Sequence, residues 1–214
     1  MAYHNNPRII TDGLVLCLDA ADKKSYPGSG TTWYDRSRYK KHGTLTNGPT
    51  FDSSNGGSIV FDGADDYVDC GSITTGEKIT VNAWVKITTG GTYQHIVDSS
   101  SNSWHLAILN DNRPYFWNGS NYHTETQVLS TSTWYMLTGV QGSTLDIYVN
   151  GVLSQSIADN RNVTTNNVNI GRWQSYYGPR PFIGNISQVS IYNRTLTSSE
   201  IQQNYNVMKG RYNL

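Results

Sequence analysis

The part of the chain best suited to contact a ligand is the segment 172–181, with the sequence RWQSYYGPRP. It combines aromatic and cationic side chains: Arg172, Trp173, Tyr176, Tyr177 and Arg180. The apolar faces of sugar rings stack on aromatic rings, while sugar hydroxyls bond to polar side chains. A second segment of the same chemistry, residues 117–122, contains Trp117, Asn118 and Tyr122. Both segments predict a carbohydrate-binding surface.

A protein partner is the alternative for these two segments. Tyr, Trp and Arg are also the residues that protein interfaces favour, and aromatic side chains anchor long loops. The sequence leaves the two interpretations open with equal weight.

An acidic turn at residues 62–66 has a composition that could hold calcium. Calcium takes clustered carboxylate and carbonyl oxygens, and Asp65 and Asp66 are the candidate ligands. The interpretation we favour is an exposed turn whose Asp side chains cap backbone amides. We therefore expect no obligatory cofactor.

Motifs for other catalytic or metal chemistry are not evident in the sequence. The histidines are spread over positions 4, 42, 95, 105 and 123, and no G-x-S-x-G element occurs. We expect His95 and His105 to be strand residues at a rim rather than catalytic bases. Without a C-x-x-C or a Cys/His cluster in the sequence, zinc is not expected.

Composition indicates an all-β protein without nucleic-acid or membrane partners. The 214 residues include 16 basic and 16 acidic side chains, whereas nucleic-acid binding favours a basic surface. No run of about 18 apolar residues suggests a membrane span. The 20 Gly and 15 Tyr residues favour turns and strands over helices. The first residues lack a signal-peptide pattern, which predicts another export route or assembly inside the cell.

The strongest local structural signal is a hairpin in residues 144–153. Leu145, Ile147 and Val149 alternate with polar residues, as in a strand with one buried face. Asn150-Gly151 then favours a tight turn with positive φ at both positions. We expect the rest of the fold to be organised around this hairpin, with a sheet on either side of it.

Further strands are predicted at regular intervals along the chain. Residues 13–20 are apolar on both faces and predict a central strand, while residues 79–87 alternate, with Trp84 opposite the apolar face. The remaining strands are expected at residues 42–46, 58–62, 67–70, 94–99, 103–109, 113–117, 134–140, 167–171 and 183–192. This spacing is typical of a sandwich or barrel.

The two ends of the chain have distinct patterns. Residues 1–12 predict an attachment arm that lies against a neighbouring molecule; the alternative is that Ile9 and Ile10 extend the first strand of the same sandwich. We expect residues 13–196 to form one domain. In residues 197–214, a capping box from Thr197 to Glu200 begins a helix that ends at Gly210 and packs on the same domain.

Cys17 and Cys70 are the only cysteines, and both lie in strand-like segments. We expect two buried free thiols. A disulfide would require their strands to be neighbours.

Five segments in series resemble one known family: SIVFDGADDYVDCG, ITVNAWVKI, STWYMLTGVQGSTLDIYVNGVL, NIG and FIGNISQVSIYNRTLTSSEI. Over residues 13–205 the chain resembles the laminin-G-like branch of the concanavalin A-like lectin/glucanase superfamily. The resemblance implies a jelly-roll sandwich of two antiparallel sheets that serves as a sugar-binding, adhesive or scaffold module. The opening, residues 7–51, is similar to the start of laminin-G-like proteins of tailed bacteriophages.

The resemblance also defines what would be needed for catalysis or calcium. Glucanases of this superfamily carry their carboxyls as E-x-D-x-x-E, but the glutamates here are Glu77, Glu125 and Glu200, none in that pattern. Calcium-dependent pentraxins place acidic ligands after the strand that here reads NIG, where this chain has Arg172 and Trp173. We therefore expect no enzymatic activity and at most weak calcium binding.

Together these observations predict a structural or adhesive virion protein of a tailed phage. Its expected partners are other virion proteins, further copies of itself and a cell-surface glycan. The first alternative is a secreted bacterial carbohydrate-binding module, which would be extracellular, and a weaker one is a glycan hydrolase.

Overall fold

Strands that alternate apolar and polar residues build two antiparallel sheets packed face to face. The computed structural model describes residues 8–99, 103–119, 122–124, 127–163, 167–175 and 178–214, with only the backbone of residues 122–124, 174–175 and 178–179. Its two large sheets have eight strands each. The all-β, two-sheet jelly-roll architecture predicted from the sequence is confirmed.

The strands of the two sheets and the ribbon are two to ten residues long. In chain order they are β1 (Leu14–Asp19), β2 (Thr32–Trp33), β3 (Gly43–Thr46), β4 (Thr50–Asp52), β5 (Ser58–Asp62), β6 (Tyr67–Ser72), β7 (Ile79–Ile87), β8 (Gln94–Ser99), β9 (Trp104–Ile108), β10 (Pro114–Trp117), β11 (Tyr122–Thr124), β12 (Trp134–Gln141), β13 (Thr144–Val149), β14 (Val152–Ala158), β15 (Asn167–Ile170), β16 (Gln174–Ser175), β17 (Gly178–Pro179) and β18 (Ile183–Tyr192).

The first sheet has the order β14-β13-β12-β7-β18-β5-β4, and β1 also pairs with β18. The second has the order β11-β10-β9-β8-β15-β6-β3-β2, and β16 pairs with β17 in a separate ribbon. The main core lies between the two sheets, where Val81, Val85, Leu106 and Phe116 belong to one buried cluster. Burial of these apolar side chains is the main stabilising contribution.

A C-terminal helix covers the outer face of the first sheet. The helix α1 (Ser198–Met208) begins with the predicted capping box between Thr197 and Glu200. The α-helix ends at Met208, two residues before Gly210, close to the predicted end. Gly210 does not stop the helical backbone, because a 3₁₀ helix continues over Lys209–Tyr212. Arg194, two residues after β18, donates two hydrogen bonds to the Glu200 carboxylate, which tie the start of α1 to the end of that strand. These bonds lower the pKa of Glu200 to about 2.

The predicted hairpin is present, but it lies at an edge of the first sheet. Asn150 and Gly151 both have positive φ, 52° and 80°, as a primed turn requires. The second strand of the hairpin, β14, is the edge strand, and Val152 and Leu153 are 63% and 46% exposed. The prediction that the hairpin organises the fold is therefore wrong, since β7 and β18 occupy the centre.

The first strand is buried on both faces but is not central, because among the described strands β1 pairs only with β18. A loop covers its other edge. The Cys17 amide donates to Asp35 Oδ1 at 2.8 Å, and the Cys17 carbonyl accepts from the Arg36 amide at 2.8 Å. Ser37 Oγ donates to the Val15 carbonyl at 3.1 Å. The apolar pattern correctly indicated burial, although the covering element is a loop.

The described residues that precede β1 contact α1 of the same domain. The Ile10 amide donates to Asn204 Oδ1 at 2.8 Å, and Tyr192 Oη donates to the Ile10 carbonyl at 3.0 Å. Ile9 and Ile10 also pack on the apolar cluster beneath the helix. Residues 8–12 therefore do not form part of the predicted attachment arm, and residues 1–7 lie outside the described residues.

Cys17 and Cys70 are free and buried, which confirms the expected pair of thiols. They lie in different sheets, on β1 and β6, and burial raises the pKa of both thiols. Among the described residues, no helix has the length and apolar character to cross a membrane.

Candidate functional site

The outer face of the second sheet carries aromatic and titratable side chains in place of apolar ones. Along β9 and β10, Leu106 and Phe116 point into the core. The alternate positions His105 and Trp117 are cross-strand partners, and their rings stack at 4.8 Å and 24°. Tyr115 meets the His105 ring edge-on at 5.3 Å. The period of two in a strand thus places this row opposite the core.

A bulge in β8 adds His95 and Asp98 to this row. Residues three apart in a regular strand face opposite sides, but the register shifts between His95 and Val97. Such a shift accommodates one extra residue in the strand. His95 and Asp98 consequently both lie beside His105, with 4.0 Å from His95 Nδ1 to Asp98 Oδ1 and 3.8 Å from His105 Nδ1 to the same oxygen.

The loop after β15 lies over the histidine pair. The Trp173 ring stacks on His95 at 5.0 Å and 11° and is tilted over His105 at 5.9 Å. Two backbone bonds hold the loop, from the His95 amide to the Arg180 carbonyl and from the Arg180 amide to the Trp173 carbonyl. The Arg180 guanidinium carbon lies 4.8 Å from the Trp173 ring centre and 4.6 Å from that of Tyr93.

Burial decides the charge state of the central groups. Loss of solvation lowers the pKa of His95 far below its usual range and that of His105 to about 3, with the Arg180 charge adding to both effects. The same loss raises the pKa of Asp98 to about 8. At neutral pH both imidazoles are therefore uncharged and Asp98 is protonated. The separations of 3.8 and 4.0 Å do not represent ion pairs.

Three of the side chains proposed from the sequence come together here. Trp117, Trp173 and Arg180, from two segments that are far apart in sequence, surround His95 and His105. Tyr176 and Tyr177 lie outside the described residues, as does the side chain of Tyr122. The two segments that were predicted separately thus contribute to one surface.

The other two predicted binding residues lie elsewhere or are already engaged. The Arg172 guanidinium stacks on the Tyr67 ring, 3.2 Å from its centre, beside the acidic turn. Asn118 is buried, and its amide donates to Gln141 Oε1 at 2.7 Å and Asp159 Oδ2 at 3.0 Å. These bonds tie the end of β10 to the first sheet, and a contact between Asn118 and a ligand stays a prediction.

The acidic turn between β5 and β6 makes the hydrogen bonds of a capped turn. The Asp62 amide donates to Asp66 Oδ2 at 3.0 Å, and the Ala64 amide donates to Asp62 Oδ1 at 2.8 Å. Carboxylate oxygens of Asp62, Asp65 and Asp66 all lie within 4.8 Å of one another. Burial, followed by the neighbouring carboxylates, raises the pKa of Asp66. The Asp62 and Asp66 carboxylates, which calcium would need, therefore already accept hydrogen bonds from backbone amides of the turn.

We expect calcium to have little effect on stability. Millimolar calcium should raise the melting temperature by less than ~2 °C, because a weakly bound ligand stabilises little near its dissociation constant. Differential scanning calorimetry with calcium and with EGTA measures this, with Asp65→Asn as the matched control. A rise of several degrees that EGTA reverses and Asp65→Asn abolishes would contradict the expectation.

Sequence reasoning missed the group at the centre of the site, His95, Asp98 and His105. His95 and His105 are strand residues as expected, but they do not lie at an exposed rim, since both are buried and their rings lie 4.3 Å apart. Alternation along β9 does indicate that His105 lies on the outer face, because the next residue, Leu106, faces the core. The sequence gives no comparable indication that His95 and Asp98 share a face, because no glycine marks the bulge at Ile96.

The two sheets and this aromatic outer face define a lectin-like sandwich domain. A family model described as the concanavalin A-like lectin/glucanases superfamily, of the laminin-G type, matches residues 62–202. The chain belongs to this laminin-G-like family, as the resemblance of its motifs indicated. No curated protein shows significant sequence similarity to the chain.

Solved structures with the same fold include domains of larger proteins. Domain 4 of AbnA, a GH43 extracellular arabinanase from Geobacillus stearothermophilus, in complex with arabinotriose, matches with a TM-score of 0.71 and 16% identity, over 93% of this chain and 100% of that one. The binding domain of botulinum neurotoxin DC in complex with rat synaptotagmin II matches with a TM-score of 0.70 and 16% identity, over 93% and 52%.

A third similar structure is a mutant of Trypanosoma rangeli sialidase displaying trans-sialidase activity. It has a TM-score of 0.69 and 17% identity, over 95% of this chain and 34% of the sialidase chain. The chain therefore spans only part of the neurotoxin and sialidase structures. At these identities the likeness establishes the fold alone.

Proposed function

We propose that the outer face of the second sheet binds a glycan and that the protein is a non-catalytic adhesive module. The observation that carries this proposal is the grouping of Trp117, Trp173 and Arg180 around one histidine pair. Both indole rings are partly exposed and offer flat apolar surfaces to a sugar ring. Arg180 supplies directional N–H donors for hydroxyl or carboxylate oxygens, and Tyr93, 38% exposed, extends the aromatic surface.

The absence of catalysis is part of the proposal. A glycosidase needs two carboxyls facing each other across the scissile bond. Asp98, the carboxyl at the centre of this group, is 1% exposed and is shielded from a sugar lying on Trp173. Incubation with arabinan and common β-glucans should therefore release no reducing sugar.

The setting that we propose is the particle of a tailed phage, as a structural or adhesive component. Support comes from the similarity of residues 7–51 to the start of phage laminin-G-like proteins. The alternative setting is secretion as a bacterial carbohydrate-binding module. Capsid or tail genes beside the coding sequence would support the first setting, and polysaccharide-degrading genes there would support the second.

A glycan array followed by calorimetric titration tests the binding proposal. The array should include arabino-oligosaccharides, because a similar domain is bound to arabinotriose, together with bacterial surface glycans. We expect binding to at least one class, weakened by ~10-fold or more in Trp173→Ala, since a central aromatic side chain contributes most of the energy at such surfaces. Trp117→Ala should weaken the same titration.

The matched control is Tyr39→Ala, which removes another partly exposed aromatic ring beside an arginine. The Arg38 guanidinium carbon lies 5.0 Å from the Tyr39 ring centre, outside the proposed surface. Circular dichroism and melting temperature establish that each variant is folded. The proposal fails if no glycan binds, or if Trp173→Ala and Trp117→Ala both bind like the unaltered protein and the Tyr39→Ala control.

A further inference from the structure

His95, Asp98 and His105 present three unpartnered polar atoms to one another inside the protein. Their side chains are all at least 93% inaccessible to solvent, with relative side-chain exposures of 0%, 2% and 7%. Within the described part of the chain, His95 Nδ1, Asp98 Oδ1 and His105 Nδ1 are buried without a hydrogen-bond partner. Buried polar atoms are satisfied in the great majority of cases, so each exception requires an explanation.

Direct hydrogen bonds among these atoms do not supply that explanation. The separations of 3.8 and 4.0 Å exceed the range of about 2.7–3.2 Å for such bonds. The atoms do lie at a distance that a single central atom can bridge. One potential ligand atom from each of the three residues lies within 4.8 Å of the others.

A contact on the far side of His95 orients its ring. Tyr115 Oη lies 3.4 Å from His95 Nε2. Histidines that bind metals commonly donate the second ring N–H to a nearby acceptor, which fixes the tautomer. A proton on Nε2, beside Tyr115 Oη, would leave His95 Nδ1 with a lone pair available to an ion.

We infer that His95, Asp98 and His105 form a binding site for a divalent transition-metal ion, with zinc as the best match. Zinc is held by imidazole nitrogens and a carboxylate at about 2.0–2.2 Å, and three protein ligands with one open position form a known type of zinc site. Two ligands at these distances from a tetrahedral ion lie roughly 3.4 Å from each other. The ligand atoms, now 3.8 and 4.0 Å apart, therefore need to approach one another by roughly half an ångström. Calcium and magnesium prefer all-oxygen ligands and fit this donor set poorly.

The surroundings favour zinc in one respect and oppose it in another. Among the described residues, His95 Nδ1 and His105 Nδ1 have no hydrogen-bond partner, so neither nitrogen gives up a hydrogen bond when it binds a metal. Arg180 places a positive charge over Trp173, but it is partly exposed and screened by solvent. The Asp98 carboxylate, ionised on metal binding, offsets part of the charge of the ion. Because Trp173 stacks on His95, entry of the ion requires movement of that ring.

Titration of the EDTA-treated and desalted protein with zinc chloride tests the inference. We expect one ion per chain, a dissociation constant in the micromolar range or below, and a rise of several degrees in melting temperature at saturation. Cobalt(II) should give the visible absorption of a four-coordinate site, which zinc then abolishes. This inference does not depend on glycan binding, and either proposal can fail alone.

Asp98→Asn is the decisive variant, because it keeps the shape of the side chain and replaces the ionisable carboxyl by an amide. We expect it to weaken zinc binding by ~100-fold and to abolish the cobalt spectrum, with an unchanged melting temperature in the metal-free form. His105→Gln should reproduce the loss, while Asp65→Asn, at the acidic turn, should bind zinc normally. Failure of the unaltered protein to bind below millimolar zinc overturns the inference, as does equal binding by Asp98→Asn, which would place the ion elsewhere.

Discussion

Replacing Trp84 by alanine is expected to cost about 4 kcal/mol of unfolding free energy. Trp84 is fully buried on the outer face of β7. It stacks on Tyr212 at 4.2 Å and 21° and on Tyr205 at 5.7 Å and 10°. Its removal leaves a cavity under both α1 and the final 3₁₀ helix, which the rigid sheet cannot fill. Guanidinium denaturation followed by circular dichroism measures the loss.

A smaller change at the same position separates packing from hydrogen bonding. Trp84→Phe keeps an aromatic ring and removes an indole nitrogen that, among the described residues, has no hydrogen-bond partner. We expect it to cost only ~1 kcal/mol, because the lost volume is partly offset by removal of a buried unpaired donor. A loss below ~1 kcal/mol for Trp84→Ala would contradict the assigned role.

Replacing Asp35 by alanine is the second large effect, with an expected loss of ~4 kcal/mol. Asp35 is 1% exposed. Its carboxylate accepts hydrogen bonds from the Cys17, Ser37 and Lys41 amides and from Ser37 Oγ, at 2.6–2.8 Å. The alanine variant leaves buried donors without partners and detaches the loop that covers the free edge of β1.

Asp111→Ala is the matched control for Asp35→Ala. Asp111 also bonds to an amide two residues on and pairs with Arg113, but its side chain is 45% exposed. We expect a much smaller loss than for Asp35→Ala, because ion pairs at the surface contribute little to stability. Equal losses in the two variants would show that burial of the Asp35 carboxylate is not what matters. Thermal and guanidinium unfolding report both values.

Two of the longest strands were predicted to the residue, whereas strands of two or three residues were not predicted. Ile79–Ile87 and Ile183–Tyr192 were predicted with the bounds that the structure has, because nine or ten residues show the period of two clearly. β2, β4 and β11 contain two or three residues each, too few for any period to appear. Their place in a sheet depends on long-range pairing.

Local patterns could not predict the order of the strands, because that order also depends on long-range pairing. The alternation of β13 and the Asn150-Gly151 turn identified a hairpin but not its position at an edge. The apolar character of β1 indicated burial without distinguishing a neighbouring strand from the Asp35 loop. Both features are decided by contacts between segments that are distant in sequence.

The sequence predicted the partly exposed residues of the candidate site but not its buried ones. Composition alone identified Trp117, Trp173 and Arg180, because aromatic and cationic residues cluster in two short segments. His95 and Asp98 share a face only through the bulge in β8, and a regular strand would separate them. The stacking of Trp173 on His95 joins residues from different parts of the chain, so no local signal could reveal it.

The position of β18 constrains how the protein can fold during synthesis. β18 pairs with β7, with β5 and with β1. These three strands are synthesised early, but their common partner is synthesised near the end of the chain. Cys17 is opposite Ser190, and a ribosome must add almost the whole domain before that pairing can form. Until then the nascent chain exposes the edges of β5 and β7, and closing such distant contacts is slow. Unpaired strand edges of this kind make a partly synthesised domain prone to aggregation until β18 is in place.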